Sequence, residues 1–571
     1  MQEIKLIDVK ERQYLPQDFN VESWEQLEKI YTDLANRDIS TFEKFEKWIK
    51  DWDEFDAVAS EDFRWKYIKT SVNTADVAAQ QAVSKYYTEI DPKTKPWNHK
   101  LRLKFNESPF KNSLNKSYLN FIRAIEADLA IYTEKNIEVE KELNLLTQQF
   151  DQITGIWSIT YNGKELTFPQ ASKMLLSTDR KVRQEVYTLM QERKFQDRDK
   201  LDELMDKLVA KRHELATNAG FENYRDYAFK AMHRFDYSAK DCMNFHQSVA
   251  NQIIPIIRKF QLERKNFLGY TELKPWDLKV DPINREPLKP FENTEDFVNK
   301  TVECFNQLDV YFGTAIAEMN EMGRLDLESR KAKAPGGYMM PMPESGVPFI
   351  FMNHAAAEGD VRVMVHEGGH AVHGFLAHDI ELASMRTTPS EMSELASMGM
   401  ELLALENWEN FYPNQEDLNR AKKNHLEGLL GTLVGVAQGD EFQHWMYTHP
   451  THTASERNAK WEELLDKYSI GVINYEGVEK YLPTSYQRIL HFYQVPFYYI
   501  EYGFAQLGAI ALWKNYKSNP METIAEYKNA LSFGYTKTLP ELYEEAGIKF
   551  NFSEDYVKEL AVFLNKEIEK L

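Results

Sequence analysis

The chain has 571 residues, of which 43% are hydrophobic and 13% are aromatic. This length exceeds what one hydrophobic core usually serves, so we expect two or more packed subdomains. The formal net charge of -20 argues against nucleic acid or an anionic membrane surface as a partner. The N-terminal residues lack the apolar stretch of a secretion signal, and no run approaches the roughly 18 apolar residues of a membrane span. These features predict a cytoplasmic protein.

Helical periodicity dominates from about residue 18 to residue 150, where apolar residues recur at helical intervals between charged ones. A segment with two prolines, 91–96, predicts a loop between helices. Further along, Asn162-Gly163 predicts the turn of a short β-hairpin near 156–167. The clearest helical segments are 24–35, 41–57 and 116–150.

Only two cysteines occur, Cys242 and Cys304, and their spacing is neither metal-type nor redox-type. The low count is typical of a reducing compartment, although it leaves room for one disulfide. The cysteines therefore predict no function by themselves.

The most informative stretch is 366–370, which reads His-Glu-Gly-Gly-His. Histidines four positions apart project from the same face of a helix, so His366 and His370 can share one metal ion. Glu367 lies beside that face, where its carboxylate can reach a water on the metal. This pattern is typical of zinc hydrolases, and the alternative is a polar helix face without catalytic function. Flanking apolar residues predict an amphipathic helix that starts near Asp360, which is a plausible N-cap.

A catalytic zinc needs a third protein ligand. Residues 388–391 predict a second helix with Thr388 as its cap, and Glu394 lies one turn further into it. Glu394 is therefore a better candidate for the third ligand than Glu401. Glu401, two turns beyond on the same face, is either a partner that orients a ligand or part of a solvated face. His373 is interpreted as a supporting histidine or as a buried core residue.

At these residues the sequence resembles the oligoendopeptidase F and thimet oligopeptidase family of zinc metallopeptidases, with the oligoendopeptidase F branch closer. The shared pattern is His-Glu-x-Gly-His-x-x-His, followed by Glu394-Leu395-Ala396-Ser397 and Glu401. One departure is Gly368, where many family members carry a larger apolar residue. The resemblance rests on specific motifs after about residue 200 and only on helical character before it.

The resemblance implies a mainly α, zincin-type metallopeptidase, with a large helical body around a deep substrate channel and a small β-sheet beside the active-site helix. We expect an N-terminal helical subdomain at 1–195 and a catalytic zinc-peptidase domain at 196–571. One Zn²⁺ ion per chain is expected, although cobalt or manganese could occupy the same kind of site.

A glycine loop and a short apolar run before the zinc motif predict a strand that binds peptide. The loop lies within 334–338, and the run at 348–353 is bounded by turn residues. In zinc peptidases of this type, an edge strand beside the zinc helix binds an extended peptide through backbone hydrogen bonds. The alternative is a plain core strand with a tight turn. The candidate substrate-binding residues are Gly336, Gly337, Tyr338, Phe349, Phe351 and Asn353.

An aromatic stretch near the C-terminus contains His491, Tyr498 and Tyr502. Family members place a histidine followed by spaced tyrosines across the cleft from the zinc. The resemblance implies that His491 hydrogen-bonds the substrate and that Tyr498 and Tyr502 donate to its carbonyl or oxyanion, with the exact tyrosine left open. A phenol aimed at developing negative charge stabilises the transition state more than the ground state. The alternative is an aromatic core, in a chain with 30 tyrosines.

Together these residues predict a zinc-dependent endopeptidase that hydrolyses internal bonds of short, unstructured oligopeptides, with Glu367 as general base. A dipeptidyl carboxypeptidase with the same chemistry is one alternative, although the sequence shows no group that would capture a free terminus. Further alternatives are a zinc-loaded peptide-binding protein without turnover and a zincin-like scaffold with a structural metal. The expected partners are oligopeptides, and the oligomeric state is left open.

Overall fold

The computed structural model describes residues 11–283 and 285–571. The chain divides into two compact units, and each is assembled from segments that are distant in sequence. Unit 1 combines the described part of Met1–Tyr132 with Lys289–Lys422 and Phe504–Phe550. Unit 2 combines Thr133–Leu288, Lys423–Gly503 and Asn551–Leu571. The division predicted at residue 195 stays a prediction.

Helices dominate both units, which confirms the mainly α fold. In the first half of the chain they are α1 (Trp24–Asn36), α2 (Phe42–Val72), α3 (Val77–Lys85), α4 (Asp91–Glu107), α5 (Leu119–Ile131), α6 (Lys135–Thr154), α7 (Phe168–Met174), α8 (Arg180–Gln196), α9 (Arg198–Asn218), α10 (Tyr224–Ala231), α11 (Ala239–Gln252) and α12 (Ile254–Phe267). In the second half they are α13 (Thr294–Leu308), α14 (Val310–Glu321), α15 (Glu358–Leu376), α16 (Ser390–Ala404), α17 (Gln415–Thr448), α18 (Ala454–Lys467), α19 (Leu490–Gln494), α20 (Tyr499–Ser518), α21 (Pro520–Ser532), α22 (Leu539–Glu545) and α23 (Glu554–Glu569).

The predicted N-terminal helical segments are present, with 116–150 divided between α5 and α6, but the loop predicted at 91–96 is wrong. Helix α4 begins at Asp91, directly after a π-helical turn at Tyr86–Ile90. Pro92 lies in the first turn of α4, where its missing N–H removes no helical hydrogen bond. Pro96 lies inside the helix, so this segment tolerates a proline at the position where sequence reasoning placed a break.

Two small β-sheets complete the described fold. The predicted hairpin is confirmed as β1 (Ser158–Tyr161) paired antiparallel with β2 (Lys164–Thr167) in unit 2. Its turn residues Asn162 and Gly163 both have positive φ, as a tight hairpin turn requires.

The second sheet lies in unit 1 and consists of β3 (Leu325–Glu328), β4 (Tyr338–Met340) and β5 (Phe349–His354), in the order β3-β5-β4. The apolar run at 348–353 is therefore a strand, as predicted. It is the middle strand, however, parallel to β3 and antiparallel to β4, so the expectation of an edge strand is wrong for β5. An apolar run without alternation suits a strand that is covered on both faces, and the two edge strands are β3 and β4.

Two glycines allow α15 to pack closely, Gly369 against α16 and Gly368 against α13. A Cβ atom at Gly369 would lie 2.7 Å from the carbonyl oxygen of Ala396 and 2.8 Å from Ser397 Cα. A Cβ atom at Gly368 would lie 2.8 Å from the ring of Phe305. The small residue at position 368, which departs from the family pattern, thus makes room for an aromatic ring.

Both cysteines are buried and neither forms a disulfide. Among the described residues, no helix is long and apolar enough to cross a membrane.

Candidate active site

Helix α15 carries the His-Glu-Gly-Gly-His motif. It begins at Glu358, two residues before the predicted start, because Asp360 occupies the third helical position instead of the cap. The Asp360 carboxylate accepts hydrogen bonds of 2.8 Å from the backbone N–H groups of Ala355 and Ala357. These bonds satisfy donors at the helix start that have no partner within the helix.

Helix α16 brings a carboxylate to the two histidines. It begins at Ser390 with Pro389 as the preceding residue, so the predicted Thr388 cap is displaced by one position. Glu394 Oε2 lies 3.5 Å from His366 Nε2 and 3.9 Å from His370 Nε2. The structure therefore brings together the three residues that the sequence predicts as metal ligands.

These three side chains fit a zinc ion. One atom from each lies within 4.8 Å of the others. Two ligand atoms on a tetrahedral zinc stand roughly 3.3 Å apart, given bonds of about 2.0–2.1 Å. Two imidazole nitrogens and one carboxylate oxygen are also a known ligand set of catalytic zinc sites.

Glu401 holds the ring of His366. Its Oε1 accepts a hydrogen bond of 2.7 Å from His366 Nδ1, which leaves Nε2 facing Glu394. Glu401 is buried, so the alternative of a solvated helix face is wrong. A carboxylate on the far nitrogen fixes the tautomer and orientation of a metal-binding imidazole.

The charges at this site favour a cation. Burial opposes the charged form of His366, but its hydrogen bond to Glu401 and the charges of Glu401 and Glu394 outweigh burial and raise its pKa to about 9. Burial raises the pKa of Glu367 to about 7, a shift that Glu394 reinforces and His366 opposes. A metal ion would take the place of the proton on His366.

His373, one turn beyond His370, is a core residue. It is 5% exposed, and burial lowers its pKa to about 4. A neutral buried imidazole matches the second of the two interpretations of this residue.

The edge strand β4 lies beside Glu367, whose carboxylate accepts a hydrogen bond from the backbone N–H of Met339. Tyr338, at the start of β4, stacks on Phe351 with ring centroids 4.9 Å apart. The side chains of Phe349 and Phe351 are buried in a cluster with Ile68, and their role in binding substrate stays a prediction.

The glycine loop before β4 is tied to β5 by Asn353. Its Nδ2 donates to the carbonyl oxygens of Ala334 and Gly336, at 2.8 and 2.9 Å. Gly336 has a φ of 96°, which favours glycine, and a Cβ atom at Gly337 would lie 3.3 Å from the carbonyl oxygen of Phe351. Asn353 thus shapes the loop, and a role for Gly336 and Gly337 in binding substrate stays a prediction.

In unit 2, the predicted histidine and tyrosines form one cluster. His491 Nε2 lies 3.4 Å from the hydroxyl of Tyr502, and the ring centroids of Tyr498 and Tyr502 are 5.3 Å apart. Burial lowers the pKa of His491, which keeps it neutral. The three polar groups are close enough to act on one ligand.

Two arginines that sequence reasoning missed support this cluster within unit 2. Arg234 donates to the carbonyl oxygen of Phe497, which has a φ of 70°, and to Glu501 Oε1 at 2.8 Å. Arg212 donates to the carbonyl oxygens of Phe492 and Tyr493, which follow His491. Arginines that bind distant backbone carbonyls follow no sequence spacing, so only a structure reveals them.

Comparisons with known proteins identify the family of this chain. The sequence profile of peptidase family M3 matches residues 173–562, and that of the peptidase M3 N-terminal domain matches 16–132. An oligoendopeptidase F homolog from Lactococcus lactis is 25% identical over 56% of this chain and 53% of its own length. The oligopeptidase PepF from Bacillus subtilis is 23% identical over 56% of this chain and 48% of its own length.

This chain therefore spans about half the length of these two curated relatives. A solved structure of PZ peptidase A with an inhibitor has a TM-score of 0.90 and 26% identity, and the match covers 97% of this chain and 99% of that one. Because the family profile covers well over half of the residues, the chain belongs to peptidase family M3.

Proposed function

We propose that the chain is a zinc-dependent oligopeptidase that hydrolyses internal bonds of short, unstructured peptides. The observation that carries the proposal is the meeting of His366, His370 and Glu394 on two closely packed helices, with Glu367 beside them. Membership of peptidase family M3 and the likeness to proteins named oligoendopeptidase and oligopeptidase support the same class.

His366, His370 and Glu394 would hold the zinc ion, and Glu401 would keep the His366 ring in place. When bound, zinc lowers the pKa of a water ligand toward ~7 and polarises a carbonyl group. The ligand set and the hydrogen bond of 2.7 Å between Glu401 and His366 support this assignment.

Glu367 would act as the general base. Its carboxylate takes a proton from the attacking water and then gives that proton to the leaving amine nitrogen. The hydrogen bond from Met339 N–H supports this role, because it fixes the carboxylate beside the edge strand.

The outer edge of β4 would bind the substrate backbone, with Gly336, Gly337 and Tyr338 at its start. Main-chain hydrogen bonds give affinity with little dependence on side-chain identity, which suits peptides of varied sequence.

His491 would hydrogen-bond the substrate, and Tyr498 or Tyr502 would donate to the oxyanion. Their mutual contacts in unit 2 support a shared role.

We also propose a cytoplasmic location, which the two free, buried cysteines support.

The test is digestion of a mixed peptide pool by purified protein, followed by mass spectrometry, with and without a chelator. We expect internal cleavage of short peptides that the chelator abolishes and added zinc restores. Zinc-loaded Glu367→Gln protein is the matched control. Products shortened two residues at a time from the C-terminus would instead identify a dipeptidyl carboxypeptidase, and peptide binding without cleavage would contradict an enzymatic function.

A further inference from the structure

Helices α11 and α17 bring a second set of metal-type side chains together inside unit 2. Cys242 and His246 lie four positions apart on α11, and Asp440 and His444 lie four positions apart on α17. Each pair therefore projects from one helix face. All four side chains are buried, with exposed fractions of 0%, 1%, 0% and 2% in chain order.

The four side chains meet at the Asp440 carboxylate. His246 Nε2 hydrogen-bonds Asp440 Oδ2 at 2.8 Å, and His444 Nε2 lies 3.2 Å from the same oxygen. One ligand atom from each of Cys242, Asp440 and His444 lies within 4.8 Å of the other two. This cluster lies within unit 2, whereas the candidate active-site ligands lie within unit 1.

Several polar atoms of this cluster lack hydrogen-bond partners. They include Asp440 Oδ1 and both ring nitrogens of His444, since the 3.2 Å approach to Asp440 is poorly directed for a hydrogen bond. Rings of Phe229 and Phe497 pack against His444, with centroids 5.9 and 5.4 Å away. Buried polar atoms are almost always partnered, so a carboxylate and an imidazole in such apolar surroundings call for a ligand between them.

We propose that Cys242, Asp440 and His444 bind a second divalent cation of the zinc class, and that His246 orients the Asp440 carboxylate. Two ligand atoms on a tetrahedral zinc stand roughly 3.3 Å apart and point at the ion, not at each other. The 3.2 Å separation and poor alignment of His444 Nε2 and Asp440 Oδ2 match that arrangement.

The ligand types select the class of metal. A thiolate with an imidazole and one carboxylate favours zinc over magnesium or calcium, which prefer sites made only of oxygen. The bond from His246 to Asp440 resembles the supporting contact that Glu401 makes with His366. The ion would join α11 to α17, so its role is structural and independent of the proposed function.

Cobalt substitution tests the proposal. Metal-free protein is titrated with Co²⁺, and the near-ultraviolet spectrum is followed for thiolate-to-cobalt charge transfer. Because the ligands on α15 and α16 include no thiolate, this band reports only the site at Cys242. We expect the band in wild-type protein and its loss in Cys242→Ser. The matched control is Cys304→Ser, which removes the other buried cysteine and should leave the band unchanged.

Metal counting by native mass spectrometry gives an independent readout. The His366→Ala/His370→Ala variant should retain one zinc per chain, and the wild type should hold one more. Brief chelation should remove the active-site ion first, because the side chains of His366 and His370 are 21% and 14% exposed. Wild-type protein that saturates with a single ion and shows no thiolate band would overturn the proposal. This result needs no variant, so a misfolded Cys242→Ser protein would not leave the question open.

Discussion

A substitution at Glu367 tests catalysis separately from metal binding, because this residue lies next to the proposed ligands and is not itself a ligand. The change Glu367→Gln preserves the shape of the side chain but removes the proton acceptor. We expect turnover to fall by about 10²- to 10⁴-fold, the usual contribution of a general base. Zinc content should stay the same, as measured by elemental analysis of the same sample. Substantial turnover in the variant would rule out Glu367 as the base.

Glu401 acts on the metal through His366. In Glu401→Ala, His366 Nδ1 loses the partner that it holds at 2.7 Å, and the ring is free to turn. We expect zinc affinity to fall by about 10- to 100-fold, as for other residues that orient a ligand. Competition with a chromogenic chelator measures this change. The control Glu409→Ala removes an exposed carboxylate and should have no effect. Equal affinities in all three proteins would show that the hydrogen bond is only structural.

The two tyrosines of the unit 2 cluster can be distinguished by kinetics. Tyr498→Phe and Tyr502→Phe each remove one hydroxyl and keep the ring packing. We expect the tyrosine that donates to the oxyanion to lower kcat by about 10²- to 10³-fold with little change in KM. The other substitution should act mainly on KM. If neither variant differs from wild type, the cluster is an aromatic core, which is the alternative that the sequence left open.

At the scale of single elements, the packing of α15 on α16 depends on Gly369. In Gly369→Ala the new methyl group meets backbone atoms at 2.7 and 2.8 Å, which cannot turn away as a side chain would. We expect a loss of about 1–3 kcal/mol in the free energy of unfolding, the usual cost of overpacking a core.

Gly359→Ala is the matched control for this change. Gly359 lies on the same helix, and a Cβ atom there would meet nothing within 4 Å. It should be neutral or slightly stabilising, since alanine favours a helix over glycine. Chemical denaturation of both variants measures the difference. Equal stabilities would show that α16 can shift to accept the methyl group.

Sequence patterns predicted individual helices and strands better than they predicted which elements lie beside each other. The spacing of His366 and His370 was enough to identify two candidate ligands, because one helix period relates them. Glu394 lies on a second helix and was identified from its position one turn beyond the predicted helix start. The strand β5 was predicted, yet its place in the middle of the sheet depends on β3 and β4, which are distant in sequence. The segment at 91–96 was misassigned because Pro92 suits a first helical turn as well as a loop.

At the scale of the whole molecule, sequence order did not reveal which segments pack together. Each compact unit takes residues from at least three separate stretches of chain, so no local pattern marks its limits. The cluster at Cys242 could not be predicted from the sequence for the same reason. Each of its two residue pairs, one on α11 and one on α17, shows a four-residue spacing in the sequence. The meeting of the two pairs at Asp440 depends on the packing of α11 against α17.

Metal binding should stabilise the folded chain as a whole, because an ion that binds only the native state shifts the unfolding equilibrium. Free zinc at 1,000 times its dissociation constant would add about 4 kcal/mol per site. We therefore expect a brief chelator treatment to lower Tm, and added zinc to restore it, as measured by calorimetry. In the His366→Ala/His370→Ala variant the same brief treatment should leave Tm nearly unchanged, because the ion that remains is buried at Cys242. A wild-type Tm that responds to neither brief chelation nor added zinc would mean that the site on α15 and α16 binds no metal in the folded protein.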